Sequence, residues 1–550
     1  MLLSRRDFGG GALALSVAAP FGAPVLAQPP PADALQAIRA YAEAHRRAFG
    51  LPGLTLGIAG PGAAGTVLNF GHANADARSP IGPDTLFQIG SISKVMTALV
   101  IHQLAAEGRF RLTDALETIL PAIPLPRGSG ITLQQLIDHS SGLPDSAPAF
   151  ADGGLWTGFR PGAHWSYSNT AYDILGKVAE HSAGEPLAQL LRERIFVPLG
   201  MRRSRGAIVG ADRALYAQGY EAADSTIPYA RGVPLAPAGW VDVTFGAGCV
   251  ASTSEEMNLF MRAVAGLAQG RGGLGLTPAQ ALEFTRHAVK TETAEMTYGN
   301  GLMHVGNAGR RYLHHTGGMV SFTSSFHLDP ASGVGAFANS TLSAFSSYRP
   351  RLLTRFAVDA LAEAAAGRAI PAPPPLQTPL VNAASYFGRY SGPAGAFEIR
   401  AGEPLSLVAN GRSAALQPWE ADLFRTTHPD FRAFTLRIER AGGRITGASW
   451  GPAAYARDGS PPIALKSDTA LARLAGRYVN DSPWWGVTTI VERGGALWAG
   501  TETPLIRLGD NLWRVGEHSW SPERASFADF IDGRPQTFTF SGEKFVRHDV

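Results

Sequence analysis

One cysteine, Cys249, occurs in the 550 residues, so an intrachain disulfide is excluded whatever the redox compartment. Set in Gly246-Ala247-Gly248-Cys249-Val250, it reads as a small buried residue. Histidine and cysteine form no cluster at metal-ligand spacing. His314-His315, being adjacent, suits the two faces of a strand better than one metal, so no metal and no cofactor are expected. Basic runs are also missing: the net charge of +3 is spread along the whole chain, which argues against nucleic acid as a partner. No stretch after the first residues is apolar for long enough to span a membrane. Lysine is scarce, present only at 94, 177, 290, 466 and 544.

That scarcity gives Lys94 its interest. The segment Val95 to Ala106 is apolar except for Thr97, His102 and Gln103, with Gly108 at the C-cap position, and it predicts a helix buried on most sides. Ser91-Ile92-Ser93-Lys94 opens that helix. Residues three apart on a helix are neighbours, so the lysine reaches the serine. A serine hydroxyl becomes a nucleophile when a base takes its proton, and a desolvated lysine is such a base. Buried lysine is rare unless it is used or paired.

The N-terminus, Met1-Leu2-Leu3-Ser4-Arg5-Arg6-Asp7-Phe8 and a weakly apolar stretch to Val25-Leu26-Ala27, resembles a twin-arginine export signal occupying 1–27. Periplasmic or secreted location follows as an expectation. A helix from Ala32 to Phe49 precedes strands at Leu54 to Ile58 and Thr66 to Phe70. Short helices are predicted at Leu112 to Leu120, Leu133 to His139 and Tyr172 to Ala183. Strands follow at Tyr312 to His315, Phe322 to Leu328 and Gly333 to Asn339, and a helix from Leu352 to Ala366 closes the section. The helices thus lie between early and late strands, an α+β arrangement in which one sheet is assembled from both ends of the sequence. We place this catalytic domain at 28–368.

A proline run, Ile370 to Pro375, marks a linker at 369–379. Beyond it, Phe387-Gly388-Arg389-Tyr390 recurs as Ala475-Gly476-Arg477-Tyr478, and Asp422-Leu423-Phe424-Arg425 recurs as Asn511-Leu512-Trp513-Arg514. Two copies of one small antiparallel β-barrel-like unit, 380–465 and 466–550, are expected.

Two motifs join Ser91-x-x-Lys94 in order along the chain: Tyr167-Ser168-Asn169 and His315-Thr316-Gly317-Gly318. Together they resemble the penicillin-recognising serine hydrolases, whose set is Ser-x-x-Lys, Ser-Asp-Asn and Lys-Thr-Gly. The variants here are similar to the branch holding class C β-lactamases, D-Ala-D-Ala carboxypeptidases, D-aminopeptidases and related esterases. His139-Ser140-Ser141-Gly142-Leu143-Pro144, Phe159-Arg160-Pro161-Gly162 and Ile195 to Met201 carry the same resemblance. It implies a β-lactamase-like domain, an antiparallel sheet flanked by helices with a helical subdomain, and an acyl-enzyme on Ser91. Lys94 and Tyr167 would share the proton transfers, with neighbouring cationic charge lowering the phenol. Asn169 would hold substrate and steady Lys94; backbone N–H groups of Ser91 and Gly318 would form the oxyanion hole, and Thr316 and Gly317 would line the substrate strand.

His315 stands where most β-lactamases have lysine. Facing the substrate, a neutral histidine would offer one N–H where lysine offers a charge, and His315→Lys should then favour penicillin. The function implied is hydrolysis of D-amino-acid peptides or amides, small-molecule or short-peptide substrates in either case. The alternatives are an esterase or β-lactamase and, from another class, a binding protein that keeps the fold without turnover. Oligomeric state is open.

Overall fold

The computed structural model describes residues 31–60, 65–126, 128–149, 154–376, 380–463 and 465–548. The proposed export signal lies outside them. No helix among the described residues is long and apolar enough to cross a membrane.

Among the described residues, an eight-stranded antiparallel sheet organises the chain up to Ala366. Its order is Thr66–Gly71, Gly53–Ala59, Gly335–Ser340, Thr323–Leu328, Arg310–Gly318, Leu302–Asn307, Met296–Gly299 and Val289–Lys290. The early hairpin therefore pairs with the last strand, Leu56 opposite Ala338, and the sheet is closed from both ends of the sequence as expected. Helices Ala32–Phe49 and Arg351–Ala365 cover one face, where the Tyr41 and Phe356 rings meet edge to face at 4.9 Å. Helix Ser254–Ala268 covers the other, so close that a Cβ on Gly57 would stand 2.7 Å from Ser254 O. Covered on both faces, the central strands Thr323–Leu328 and Gly335–Ser340 are buried at every position, which is why they lack the alternation of a half-exposed strand.

Helix Ser93–Ala106 lies in a large hydrophobic core, with every residue from Ser93 to Leu104 buried. It ends at Gly108, whose φ of 78° lets Arg109 and Gly108 donate back to Leu104 and Ala105. Against the sequence reading, Leu112 to Leu120 keeps only one helical turn, Leu116–Ile119. Helices Ser254–Ala268 and Pro278–Arg286 and the strands between Met296 and Asn307 were not anticipated. Their caps were legible: Thr253 and Thr277 each accept the amide three residues on.

Beyond the linker stand two closed eight-stranded antiparallel barrels, Gly388–Arg457 and Gly476–Arg547. Each closes by pairing its first strand with its last, Tyr390 with Arg457 and Tyr478 with Arg547, leaving no free edge. The repeat read from the sequence marks equivalent places. Tyr390 and Tyr478 sit on the first strand of each barrel, and each phenol donates to the carbonyl four residues back, Tyr386 and Leu474. Phe424 and Trp513, on the fifth strands, fill the two barrel cores.

Candidate active site

The strand Phe87–Gln88 must turn sharply into the buried helix, and Gly90 makes the turn at φ 55°. A side chain is excluded there twice over, by that backbone angle and by space: a Cβ would meet Gly318 N at 2.7 Å and Gly318 O at 2.9 Å. The result sets Ser91, in a short 3₁₀ turn, beside the end of strand Arg310–Gly318. Ser93 fixes the turn by donating to Gly90 O at 2.7 Å and accepting from Val250 N at 3.0 Å.

Lys94 is fully buried. Its Nζ lies 3.1 Å from Ser91 Oγ, 2.6 Å from Asn169 Oδ1 and 2.9 Å from Ala247 O. Burial lowers its pKa to about 7, against the opposing pull of Asp173 and Asp145. A neutral amine has two N–H groups and one lone pair. Asn169 Oδ1 and Ala247 O can only accept, so they take the two N–H groups and the lone pair is left facing Ser91. The amide of Asn169 is itself oriented, since its Nδ2 donates to Asp145 Oδ1 at 2.9 Å. Asp173 accepts the Ala247 amide at 3.0 Å and so steadies the other carbonyl. Burial raises both carboxylates above their ordinary range.

Tyr167 is hydrogen-bonded to Ser91, and Lys94 Nζ lies 4.9 Å from its ring centroid. The expectation that cationic neighbours lower this phenol is overturned. Burial outweighs them and holds Tyr167 well above the ordinary phenol value, so its hydroxyl keeps its proton near neutrality and it is not a phenolate. His139 braces it, with ring centroids 4.3 Å apart, while its Nδ1 accepts the Ser168 amide at 3.1 Å. Ser168 also caps helix Asn169–Ala183 by accepting from Ala171 N.

Strand Arg310–Gly318 brings its motif to the same place. Gly317 is obligatory, because a Cβ would stand 1.9 Å from Ile89 O and 2.2 Å from Ser324 Oγ. Thr316 and Gly318 remain partly exposed on the site's wall. His315 does not face substrate as expected. It is 1% exposed, its Nδ1 lies 2.6 Å from Thr316 O, and Tyr298 OH lies 3.4 Å from its Nε2. A carbonyl cannot donate, so Nδ1 carries the proton and Nε2 accepts, leaving no donor for a ligand. Burial, reinforced by Lys94, lowers its pKa to about 3. A fixed cation stands elsewhere. Arg349, largely buried and held at Ala344 O and Tyr348 O, places Nη2 2.6 Å from where a Cβ of Gly318 would lie.

The site thus joins Ser91, Lys94, Tyr167, Asn169, Thr316, Gly317 and Gly318, with His315 in the supporting layer. The sequence reading missed Asp145, Asp173, Arg349 and Tyr298. Asp145 directly follows the Ser140 to Pro144 string, and Asp173 lies one turn beyond Asn169 on its helix; those spacings were the available signals. The second barrel was expected, but its contact with the loops of the site was not. Glu523 accepts the Asp145 amide at 2.8 Å, Trp156 Nε1 donates to Pro522 O at 2.7 Å, and the Trp520 ring stacks on His164 at 4.8 Å.

A family model described as Beta-lactamase matches residues 37–358. A "Beta-lactamase" of Pseudomonas fluorescens is 30% identical over 213 residues, 36% of this chain and 58% of that protein. "D-alanyl-D-alanine-carboxypeptidase/endopeptidase AmpH" of Escherichia coli (strain K12) is 31% identical over 139 residues, 22% of this chain and 36% of that protein. The chain therefore spans less than two thirds of these relatives. Among solved structures, the octameric penicillin-binding protein homologue from Pyrococcus abyssi superposes with a TM-score of 0.56 at 22% identity, covering 75% of this chain and 95% of that one, a likeness of fold.

Proposed function

The chain belongs to the beta-lactamase family, and from that premise we propose that it is an exported serine hydrolase that acylates Ser91 and acts on D-amino-acid peptides or amides. The observation that carries the reading is Lys94 Nζ at 3.1 Å from Ser91 Oγ, with both of its N–H groups committed elsewhere. In the proposed reaction the Ser91 proton passes to Lys94 as Oγ attacks the carbonyl. The carbonyl oxygen becomes an oxyanion facing the amides of Ser91 and Gly318, each such donor contributing on the order of 10²–10³ in rate. As the C–N or C–O bond breaks, the leaving group takes a proton from Lys94, relayed by the Tyr167 hydroxyl. Water then repeats the sequence against the acyl-enzyme.

Preference for D-amino-acid amides rests on the resemblance and on the absence of a lysine in the third motif. Arg349 beside Gly318 favours a second reading, in which a substrate carboxylate is held as in a carboxypeptidase or β-lactamase. Intact-protein mass spectrometry with a fluorophosphonate tests the chemistry: one adduct on wild type and none on Ser91→Ala supports it, and equal labelling of both defeats it. A panel of D-alanine p-nitroanilide, p-nitrophenyl esters and benzylpenicillin separates the two readings of substrate.

A further inference from the structure

Between the catalytic domain and the first barrel lies a cavity of about 690 Å³, within the ordinary range for small-ligand sites. Arg231, Arg349, Arg351 and Arg425 line it, and Glu420 is the one acid in its wall. None of the four arginines is paired with a carboxylate among the described residues; Glu420 and Glu502 act on Arg425 only at longer range. Arg425 comes from the barrel. It donates to Tyr229 O at 3.2 Å, its guanidinium carbon lies 3.4 Å from the Trp419 ring centroid, and its Nε is buried without a hydrogen-bond partner. Arg231 reaches in from the catalytic domain, 5.4 Å from the Phe49 ring.

Burial costs Arg425 and Arg231 part of their hydration with no carboxylate paired to either: the guanidinium of Arg425 is lowered to about 10, and Arg231 is lowered as well. The fifteen-residue helix Arg351–Ala365 also starts here. No side chain caps its first turn, no acidic residue lies in that turn, and its Arg351 and Leu352 line the cavity, which sets the positive dipole end at its wall. Flat aromatic faces at Phe49 and Trp419 complete the wall.

We propose that this cavity is a binding site, separate from Ser91, for a small organic oxyanion: a carboxylate or phosphate carried on an apolar or aromatic body. The oxyanion would take the free guanidinium donors and the helix terminus, which form charge-assisted hydrogen bonds, and the body would lie against Trp419 and Phe49. Arg349 forms a wall common to this cavity and the Ser91 site.

Isothermal titration calorimetry on the full chain tests it, with phenyl phosphate, phthalate and, as a neutral control, benzamide. The expected result is binding of at least one anion, weakened by salt and absent for benzamide. Which anion binds tells phosphate from carboxylate. Arg351→Gln, an exposed residue whose loss leaves packing intact, and Arg351→Gln combined with Arg425→Gln should weaken it stepwise, the pair by about tenfold or more. Protein blocked at Ser91 by a fluorophosphonate should bind unchanged. No heat from either anion at millimolar concentration, equal binding of benzamide, undiminished affinity in Arg351→Gln, or loss of binding on blocking Ser91 would each overturn the proposal. The last result would assign the anion to the catalytic site.

Discussion

In the proposed chemistry Lys94 acts through its surroundings more than through its identity. Buried and lowered to about 7, it is protonated below that pH, where its lone pair is lost to Ser91, and neutral above it. The proposed acylation should therefore rise with pH through about 7 and level off on the alkaline side; kcat/KM measured from pH 5 to 9 checks it, and a profile falling across that window would remove Lys94 as the base. Tyr167→Phe keeps the ring that packs on His139 but deletes the relay. We expect its kcat to fall by on the order of 10²–10⁴ with Tm little changed, the range for a positioned proton-transfer group. His315 carries a revised expectation. At 1% exposure beside Lys94, a lysine there would bury a second cation, at a cost of several kcal/mol if it stays charged. His315→Lys should lower Tm and leave penicillin turnover no better, contrary to the reading that set this residue against substrate. Calorimetry together with a benzylpenicillin assay would show it, and a gain in turnover at unchanged Tm would restore that earlier reading.

At the scale of elements, the proposed oxyanion pair of Ser91 and Gly318 amides depends on how closely strand Arg310–Gly318 lies against the Gly90 turn. Gly317→Ala would drive a methyl to 1.9 Å from Ile89 O, so the strand or the turn must retreat. Overpacking of this kind costs about 1–3 kcal/mol. The larger effect should be on kcat/KM, lower by on the order of 10²–10³ because the Gly318 amide is displaced from the Ser91 amide. Steady-state kinetics beside a melting curve separates the two. The elements read best from sequence were those whose own spacing declares them, Ala32–Phe49 and the buried helix after Ser91. Leu112 to Leu120 failed because the chain turns at Leu112 to Asp114 and Leu116 N bonds to Ile131 O, so that only Leu116–Ile119 is helical.

For the whole molecule, a stiff proline-run linker is compatible with few contacts between the catalytic domain and the barrels. Instead, Gln417 exchanges two hydrogen bonds with the backbone of Arg231, and the second barrel grips the loops around Asp145, Trp156 and His164. The Glu523 carboxylate accepts the Asp145 amide, and Asp145 orients Asn169, which holds Lys94. Glu523→Ala leaves that buried amide without its acceptor, at about 1–3 kcal/mol. We expect a lower Tm and a lower kcat, with the Gln variant, which can still accept, recovering most of both. Truncation after Ala366 should give a protein that folds but turns over poorly, and wild-type kinetics from that fragment would show that the barrels leave the site alone.

The Ser91–Lys94 pair proposed for catalysis, the three motifs and their order, the sheet drawn from both ends of the chain and the doubled β unit were all legible in the sequence. Each is written in local spacing or in a repeated string, and Ser91 to Lys94 is a single helical turn. Tertiary structure alone decided the direction of the Tyr167 shift, the inward turn of His315, the place of Arg349 beside Gly318 and the reach of Glu523 to Asp145. Those depend on desolvation and on contacts between residues tens to hundreds of positions apart, up to 378 between Asp145 and Glu523, and no local pattern encodes them.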